Sequence, residues 1–589
     1  MTDTTPLTNS SFQLAVADYI TFALYCLILW AIGLWAGKKR DKDSADYFLA
    51  GRTLPWYVIG TSFIAANISS EHFIGMVGAT FIFGISVAMY EWGNINSFSV
   101  LIWLFIPFLL ATRVFTIPEF LERRFNNTLR QFFAILTLIS NITAFLAGVL
   151  YGGALALHTL FEWPLWAAVL ALGAVSGSLA IYGGLRSIAW TDFFTIFIMV
   201  AGGLTVTFLG LHMLSGQEHS LLAGFRVMLE KNAAQDGLWA QAVAQNVHNF
   251  TAEDTYNRLS VIQPVSHKVV PWPSLLVGFL ASGIWYSVLN QFMIQRVLGA
   301  KNMYHARMGI VLAGYLKILM PVLVVFPGLI LFAKYPEMML QPWDKIPATA
   351  DQGYVFLLQT IVPAGLRGLF LAALFGAIQS TVNAVLTSSA TVFTFDIYKR
   401  MLAPNSSEKQ LVRVGIISSV LILLIALGIA IVLGLMGGGL FVYVQTLYAF
   451  FAPPFSAVFL MGILFKRINA KGAATAVFTG FAFGILMKLY PRFWPDLLGP
   501  AIFHAVAPFS NQSILHWGFC VIVCAAVSLC TQPPQPQQVT DQLTLNWRKL
   551  NIFAELGDRW YNSVITWWGL FAAGIIGLVV IFSGLFFRR

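Results

Sequence analysis

A chain whose long apolar runs recur from one end to the other, joined mostly by short connections, can fold into little besides a bundle of membrane-spanning helices. Such runs lie near residues 14–36, 54–82, 85–111, 130–158, 163–183, 187–214, 272–297, 306–333, 354–398, 411–435, 439–464, 470–489, 510–531 and 563–587. At about 20 residues per crossing this amounts to about fourteen spans. The 589 residues are 58% hydrophobic and only 10% charged, against roughly a quarter charged in water-soluble domains. Lipid is therefore the solvent for most of the surface, and the expected fold is a single all-α polytopic membrane domain, not a soluble enzyme.

The formal net charge of +10 does not signal nucleic acid, because the basic residues form short clusters between apolar runs. Those clusters, at Lys38-Lys39-Arg40, Arg123-Arg124, 296–307, Lys399-Arg400, Lys466-Arg467 and Arg548-Lys549, mark alternate connections as cytoplasmic. Both termini are then expected outside the cell membrane, although Arg588-Arg589 opposes the rule. The first run has no basic leader and is too long for a signal-peptide core, so it reads as a true span. Cys26, Cys520, Cys524 and Cys530 all fall in apolar runs and read as packing residues. A long outer loop is expected over 215–271, with His219, Lys231, Asp254 and Arg258 exposed to water, and a polar linker over 532–562 that begins with a Pro- and Gln-rich stretch.

Two runs are damaged in their middles. The second carries the polar sequence Asn67-Ile68-Ser69-Ser70-Glu71-His72, and the seventh carries Ala281-Ser282-Gly283 with Asn290-Gln291 beyond it. Each opens a block of five spans, 54–214 and 272–464, leaving 14–36 as an extra first helix and 470–587 as peripheral helices. Paired interruptions of this kind point to a transporter of inverted-repeat build with its site at the midplane. Gly and Ser can also serve close helix packing alone.

Polar residues deep in the spans follow the same logic. Carbonyls freed by a broken helix need a partner inside the bilayer, and a bound cation is one. Ser69 and Ser70 could simply cap the broken ends. Glu91, with Asn94 three residues on along the same face, and Lys317, about ten residues inside its span, are ionisable groups that need a wet cavity or each other. Gln445 adds an amide, and Trp285 and Tyr286 could stack on a ring or pack against lipid. Amides, a carboxylate, a cation and an imidazole together suit a polyhydroxylated solute. Ser380 and Thr381 could bond back along their own helix or, with freed carbonyls, supply the oxygens that a hard cation such as sodium takes.

Several motifs are more specific. Asp46-Tyr47-Phe48-Leu49-Ala50-Gly51-Arg52-Thr53-Leu54-Pro55-Trp56, Ala65-Ala66-Asn67-Ile68-Ser69, Tyr90-Glu91-Trp92 and Phe393-Thr394-Phe395-Asp396-Ile397-Tyr398-Lys399 resemble the sodium/solute symporter family, in particular its sodium/glucose cotransporter branch. The resemblance spans residues from about 16 to 490 and implies a leucine-transporter-like five-plus-five inverted repeat preceded by one helix. It implies a sodium site built from the carbonyls of Ala65, Ile68 and Ala377 and the hydroxyls of Ser380 and Thr381. It also implies a sugar site of Asn67, His72, Glu91, Asn94, Lys317 and Gln445, with Tyr286 as inner gate and Met76, Tyr90 and Phe441 as outer gate. Asp192 matches an acidic position tied to sodium on the inner side, with a helix cap as the alternative. Gly283 departs from the asparagine that sugar-transporting bacterial members can carry there. His72 departs from their frequent glutamine and looks more like the animal transporters. Myo-inositol, sialic acid, nucleosides and small carboxylates are other solutes that the resemblance leaves open, as is a sugar sensor or sodium-conducting protein without coupled uptake.

Overall fold

The computed structural model describes residues 14–37, 44–433, 439–546 and 553–586, with only the backbone of 179–183. The basic groups Lys38, Lys39, Arg40, Arg548, Lys549, Arg588 and Arg589 lie outside the described residues. Among the described residues no strand forms, only isolated bridges at Leu54 with Ala300 and Gln263 with Pro271.

The frame is helical throughout. In chain order it comprises α1 Val16–Gly37, α2 Trp56–Asn67 and the helical run α3 Glu71–Thr112, which turns at Gly84 (φ +72°). Then come α4 Asn127–Phe161 and α5 Leu165–Leu214, bent at Gly184 (φ +62°), the boundary expected between the fifth and sixth spans. The sequence continues with α6 Leu221–Asn232, α7 Gly237–Phe250, α8 Ser274–Leu289, α9 Gln291–Leu298, α10 Met303–Lys334 and α11 Ile346–Ile361. It closes with α12 Arg367–Leu402, α13 Glu408–Leu433, α14 Leu440–Leu464, α15 Ala470–Phe493, α16 Phe509–Cys530 and α17 Val564–Ile581. Helix starts follow their capping residues: the side chains of Asn126, Asn302 and Asn469 accept from Leu129, His305 and Gly472 at 3.0, 3.0 and 2.9 Å.

Eleven described helices are long and apolar enough to cross a bilayer, and α8 with α9, bent by 56°, raises the number to twelve. The expected fourteen is not reached by that measure, because α2 has 12 residues and the apolar stretch Leu165–Ser178 is short as well.

Two stretches differ from the sequence reading. The run 354–398 is two helices, α11 and α12, because Pro363 cannot continue a helix and Gly365 takes φ +97°; the run stays apolar on average despite Arg367, so a hydropathy window alone misses the turn. The stretch 215–271 is not a loose loop but contains α6 and α7. Its Arg258 is fully buried, donating to the carbonyls of Ile82 and Phe81 at 2.6 and 2.8 Å, which satisfies the open C-terminal end of an α3 segment. The linker after Gln532 lies on the body, with Leu545 donating to the carbonyl of Ile463 at 2.8 Å.

Close crossings fix the frame around the site. A Cβ on Gly60 of α2 would sit 2.5 Å from the carbonyl of Gly309 on α10, so these helices meet backbone to backbone. Among the described residues, some of the expected cytoplasmic clusters are tied to neighbouring connections. Arg124 donates to the carbonyls of Gly462 and Ile468 at 2.7 and 2.9 Å, Arg400 to Glu122 at 2.6 Å, and Arg52 to those of Arg113 and Leu298 at 3.1 and 3.3 Å.

Candidate functional site

Two backbone breaks organise the centre. Ile68, between α2 and α3, has φ −73° and ψ 121°; Asn290, between α8 and α9, has φ −72° and ψ 120°. The first break falls where the sequence places it. The second falls at Asn290 and not at Ala281-Ser282-Gly283, which stays helical within α8. Small residues there serve packing: a Cβ on Gly283 would lie 2.7 Å from that of Ser97. A larger side chain at 283 would collide with α3. The capping reading fits Ser69 alone, since Ser70 caps no broken end and reaches α4 instead. Ser69 Oγ accepts from the amide of Glu71 at 3.2 Å, and Ser70 donates to the carbonyl of Val149 at 2.8 Å.

Beyond the first break a polar chamber opens between α2, α3, α8, α10 and α14. Its lining includes Asn67, His72, Glu91, Asn94, Lys317, Gln445 and Tyr286 of the expected site. Lys317 Nζ donates to Glu91 Oε2 at 2.7 Å and also to Asn67 Oδ1. His72 Nε2 lies 3.3 Å from Glu91 Oε1, while its Nδ1 accepts from the amide of Ser69 at 3.3 Å, so the ring hydrogen faces Glu91. Glu91 is thus held from both sides, and the ion pair with Lys317 and the chamber wall are one arrangement. Asn67 Nδ2 donates to the Tyr286 hydroxyl at 2.6 Å, and Asn94 to the carbonyl of Tyr90 at 2.6 Å.

The chamber has aromatic ends. On one, Tyr90 meets Phe441 and Phe279 edge to face at 4.9 and 5.2 Å, with Met76 beside them in the lining. The Tyr90 hydroxyl donates to the carbonyl of Val269 at 3.1 Å. That loop is pinned by buried His267, whose Nδ1 accepts from the amide of Val270 at 2.8 Å; burial, with Lys268 beside it, pushes the imidazole down to about 3, so it stays a neutral acceptor. At the other end Tyr286 lies 5.6 Å from Tyr448. Trp285 does not line the chamber: it stacks behind, on Phe145 at 5.9 Å.

On the far side of the same break, Thr381 of α12 donates to the carbonyls of Ala66 and Ile68 at 3.0 and 3.1 Å. Ala65 and Ala377, the other expected carbonyl donors, are fully buried on α2 and α12, but Thr381 meets Ala66 instead of Ala65. Ser380 donates to Asp192 Oδ1 at 2.6 Å, Ser62 donates to Oδ2 at 2.6 Å, and Arg296 approaches Oδ2 at 3.1 Å. Asp192 is therefore no helix cap but the hub of a buried network joining α2, α5, α9 and α12. Apart from the Arg296 guanidinium, the carbonyls, hydroxyls and carboxylate here offer hard oxygen atoms of the kind a sodium ion takes.

Residues 47–480 match the family model described as the sodium:solute symporter family. The chain belongs to that family. It is 34% identical over 564 residues to the sodium/glucose cotransporter of Vibrio parahaemolyticus, covering 93% of this chain and 97% of that one. It is 31% identical over 541 residues to the sodium/myo-inositol cotransporter 2 of Sus scrofa, covering 89% of this chain and 78% of that one. A solved sodium-coupled sialic acid symporter in a substrate-bound outward-open state has the same fold, with TM-score 0.69 at 20% identity over 88% of this chain and 99% of that one. This family member is accordingly a multi-pass, sodium-coupled solute symporter with a leucine-transporter-like fold, and not an enzyme.

The sequence reading gives no site role to four residues of the centre. Glu71 and Ser282, noted only as parts of the two damaged runs, line the chamber, as does Tyr448, and Glu71 accepts from Gln445 Nε2 at 2.9 Å. Arg296 reads as part of a basic connection, although its place on the run that opens the second block is a usable signal.

Proposed function

We propose that this symporter couples inward sodium movement across the cell membrane to uptake of a glucose- or galactose-like hexose by alternating access. The observation that carries the reading is the polar cage of Asn67, His72, Glu91, Asn94, Lys317 and Gln445, closed by apolar rings at one end and by Tyr286 at the other. Its donors and acceptors point in several directions at once, as adjacent hydroxyls on a sugar ring require. In this reading Ala65, Ile68, Ala377, Ser380 and Thr381 hold sodium, Asp192 guides it inward, and 54–214 and 272–464 are the two repeats. The recurrence of basic clusters in alternate connections supports a cytoplasmic face there, with both termini outside.

Coupling follows from Ile68. Its carbonyl faces Thr381, while the adjacent Asn67 and the nearby His72 face the solute, so an ion drawing α12 onto the break also sets the cage. At about 100 mV and a tenfold gradient, one sodium supports accumulation of roughly a few hundredfold, and two would square that figure.

The test is uptake of labelled galactose into proteoliposomes under an inward sodium gradient. Concentrative, sodium-dependent uptake is expected, suppressed by excess glucose. Sodium current without accumulation would instead favour a sensor or sodium-conducting protein. Myo-inositol is the second solute worth carrying, because relatives named for it are also about 30% identical; competition by myo-inositol, sialic acid and nucleosides ranks the alternatives.

A further inference from the structure

The wall of the solute chamber holds two carboxylates and one lysine, and its ion pairs converge on a single acid. Lys317 Nζ lies 2.7 Å from Glu91 Oε2, and His72 Nε2 lies 3.3 Å from Glu91 Oε1. The His72 ring is neutral, because its Nδ1 accepts from the amide of Ser69. Glu71, the other carboxylate, lines the chamber and is 8% exposed. Its own partners are neutral: Gln445 Nε2 donates to Oε1 at 2.9 Å, and the Tyr448 hydroxyl adjoins it. With Glu71 and Glu91 counted as carboxylates and Lys317 as an ammonium, the wall is one positive charge short. A buried carboxylate without a counter-charge is costly, so the chamber favours a cation among what enters it.

The hydrogen-bonding inventory has the same bias. Gln445 gives an amide hydrogen to Glu71, and Asn94 gives its amide hydrogens to the carbonyls of Tyr90 and Glu91 at 2.6 and 3.3 Å. Both side chains are half-buried and keep their amide oxygens for a ligand. Lys317, the strongest donor of the wall, is committed to Glu91 and Asn67. What the wall still offers is mainly acceptors, with a full negative charge among them. An ammonium group has three donors and no acceptor, and its bond to a carboxylate is of the strong, charge-assisted kind. A neutral hydroxyl meets the acceptors and leaves the charge unbalanced.

We propose that Glu71, with Gln445 beside it, is the recognition point for a protonated amine on the solute, so that this symporter binds an aminohexose in preference to the neutral hexose. The assignment rests on the hexose reading above and narrows it. Glu71 sets the specificity, while Glu91 and Lys317 serve the hydroxyls that the two kinds of sugar share.

Glucose and glucosamine differ by one hydroxyl exchanged for an amine, so sodium-driven uptake of the two in proteoliposomes isolates the charge. At about pH 6.5 the amine is protonated, since groups of this kind titrate near about 8. In the unaltered protein the KM for glucosamine is expected to lie below that for glucose by about tenfold or more, as a charged hydrogen bond provides. Glu71→Gln is expected to bring the ratio of the two KM values to about one, and Glu71→Asp, which keeps the charge, to leave glucosamine ahead. Raising the pH to about 9, where the amine is neutral, should abolish the preference in the unaltered protein. The other titratable groups that face Glu71, namely His72, Tyr90, Glu91, Tyr286, Lys317 and Tyr448, act on both sugars and cancel in the ratio. Equal KM values in the unaltered protein, or a preference that survives Glu71→Gln or the neutral amine, would overturn the proposal and leave the charge of Glu71 to a proton or a second sodium. Absence of sodium-driven uptake of both sugars would instead remove the hexose reading itself, and this assignment with it.

Discussion

Ser380, one of the proposed sodium ligands, gives its hydroxyl hydrogen to Asp192 across 2.6 Å. A serine placed to face an ion is thus also tied to an acid on α5 that a buried arginine holds. Removing the hydroxyls tests the ion site directly. Ser380→Ala with Thr381→Ala is expected to raise the sodium concentration for half-maximal uptake by at least about tenfold, since two oxygen ligands disappear. Uptake measured against sodium concentration decides it, and an unchanged half-saturation value would remove both residues from the ion site.

Asp192 and Arg296 are both nearly inaccessible, at 2% and 1% of side-chain surface. Deleting one leaves the other charge buried without its partner. Asp192→Ala is therefore expected to destabilise the protein by about 3–5 kcal/mol, whereas Ser62→Ala, which removes one neutral donor, should cost about 1 kcal/mol. Thermal unfolding of purified protein in detergent would order the two variants.

In the cage, Lys317 contacts both Glu91 and Asn67. Lys317→Ala is expected to weaken sugar binding by about 10- to 100-fold, the range for a charged hydrogen bond, read as the sugar concentration for half-maximal uptake. Trp285→Phe, behind the chamber wall, should change it by less than about threefold.

The crossing of Gly60 and Gly309 has no room for a methyl group, with 2.5 Å between the built Cβ and the facing carbonyl. Gly60→Val is expected to push α2 away from α10 at a cost of about 1–3 kcal/mol. Because α2 ends in Asn67 and Ile68, sodium and sugar affinities should fall together, which paired half-saturation measurements would reveal.

Outside the spans, Asp351 of α11 accepts from the amides of Gly439 and Leu440 at 2.8 and 3.0 Å, and burial outweighs those bonds to raise its carboxyl to about 7 from 3.8. Between about pH 4 and 7 the folded chain keeps a proton that the unfolded chain has released, so stability from this group falls as pH rises and levels off above 7. Asp351→Asn retains an acceptor and loses the titration. Its melting temperature should respond less to a change from pH 5 to 8 than that of the parent.

Much of this was legible in the chain because lipid imposes strong grammar. Apolar length finds the spans, and Glu91 and Lys317 stand out as charges where charge is expensive. The break at Ile68 was visible because polar residues gather around it, and Asn290-Gln291 marked the second run in the same way, although Ala281-Ser282-Gly283 beside it stays helical. The turn at Pro363–Gly365 was passed over because the long run stays apolar on average, which outweighs the local signal of Pro363, Gly365 and Arg367. Contacts between distant elements were out of reach: nothing along the sequence joins Ser380 to Asp192. That comes only from how α5 and α12 pack.

The two breaks at Ile68 and Asn290 share nearly the same pair of backbone angles, and neither is a glycine. Each divides a span into two stiff rods joined at a single pivot. A rod can then swing by rotation about one or two bonds, without unravelling a turn of helix or stretching a loop. A transporter built this way meets its mechanical demand at two residues, and a substitution at either pivot, proline above all, would seize the movement while leaving the cage and the ion ligands chemically whole.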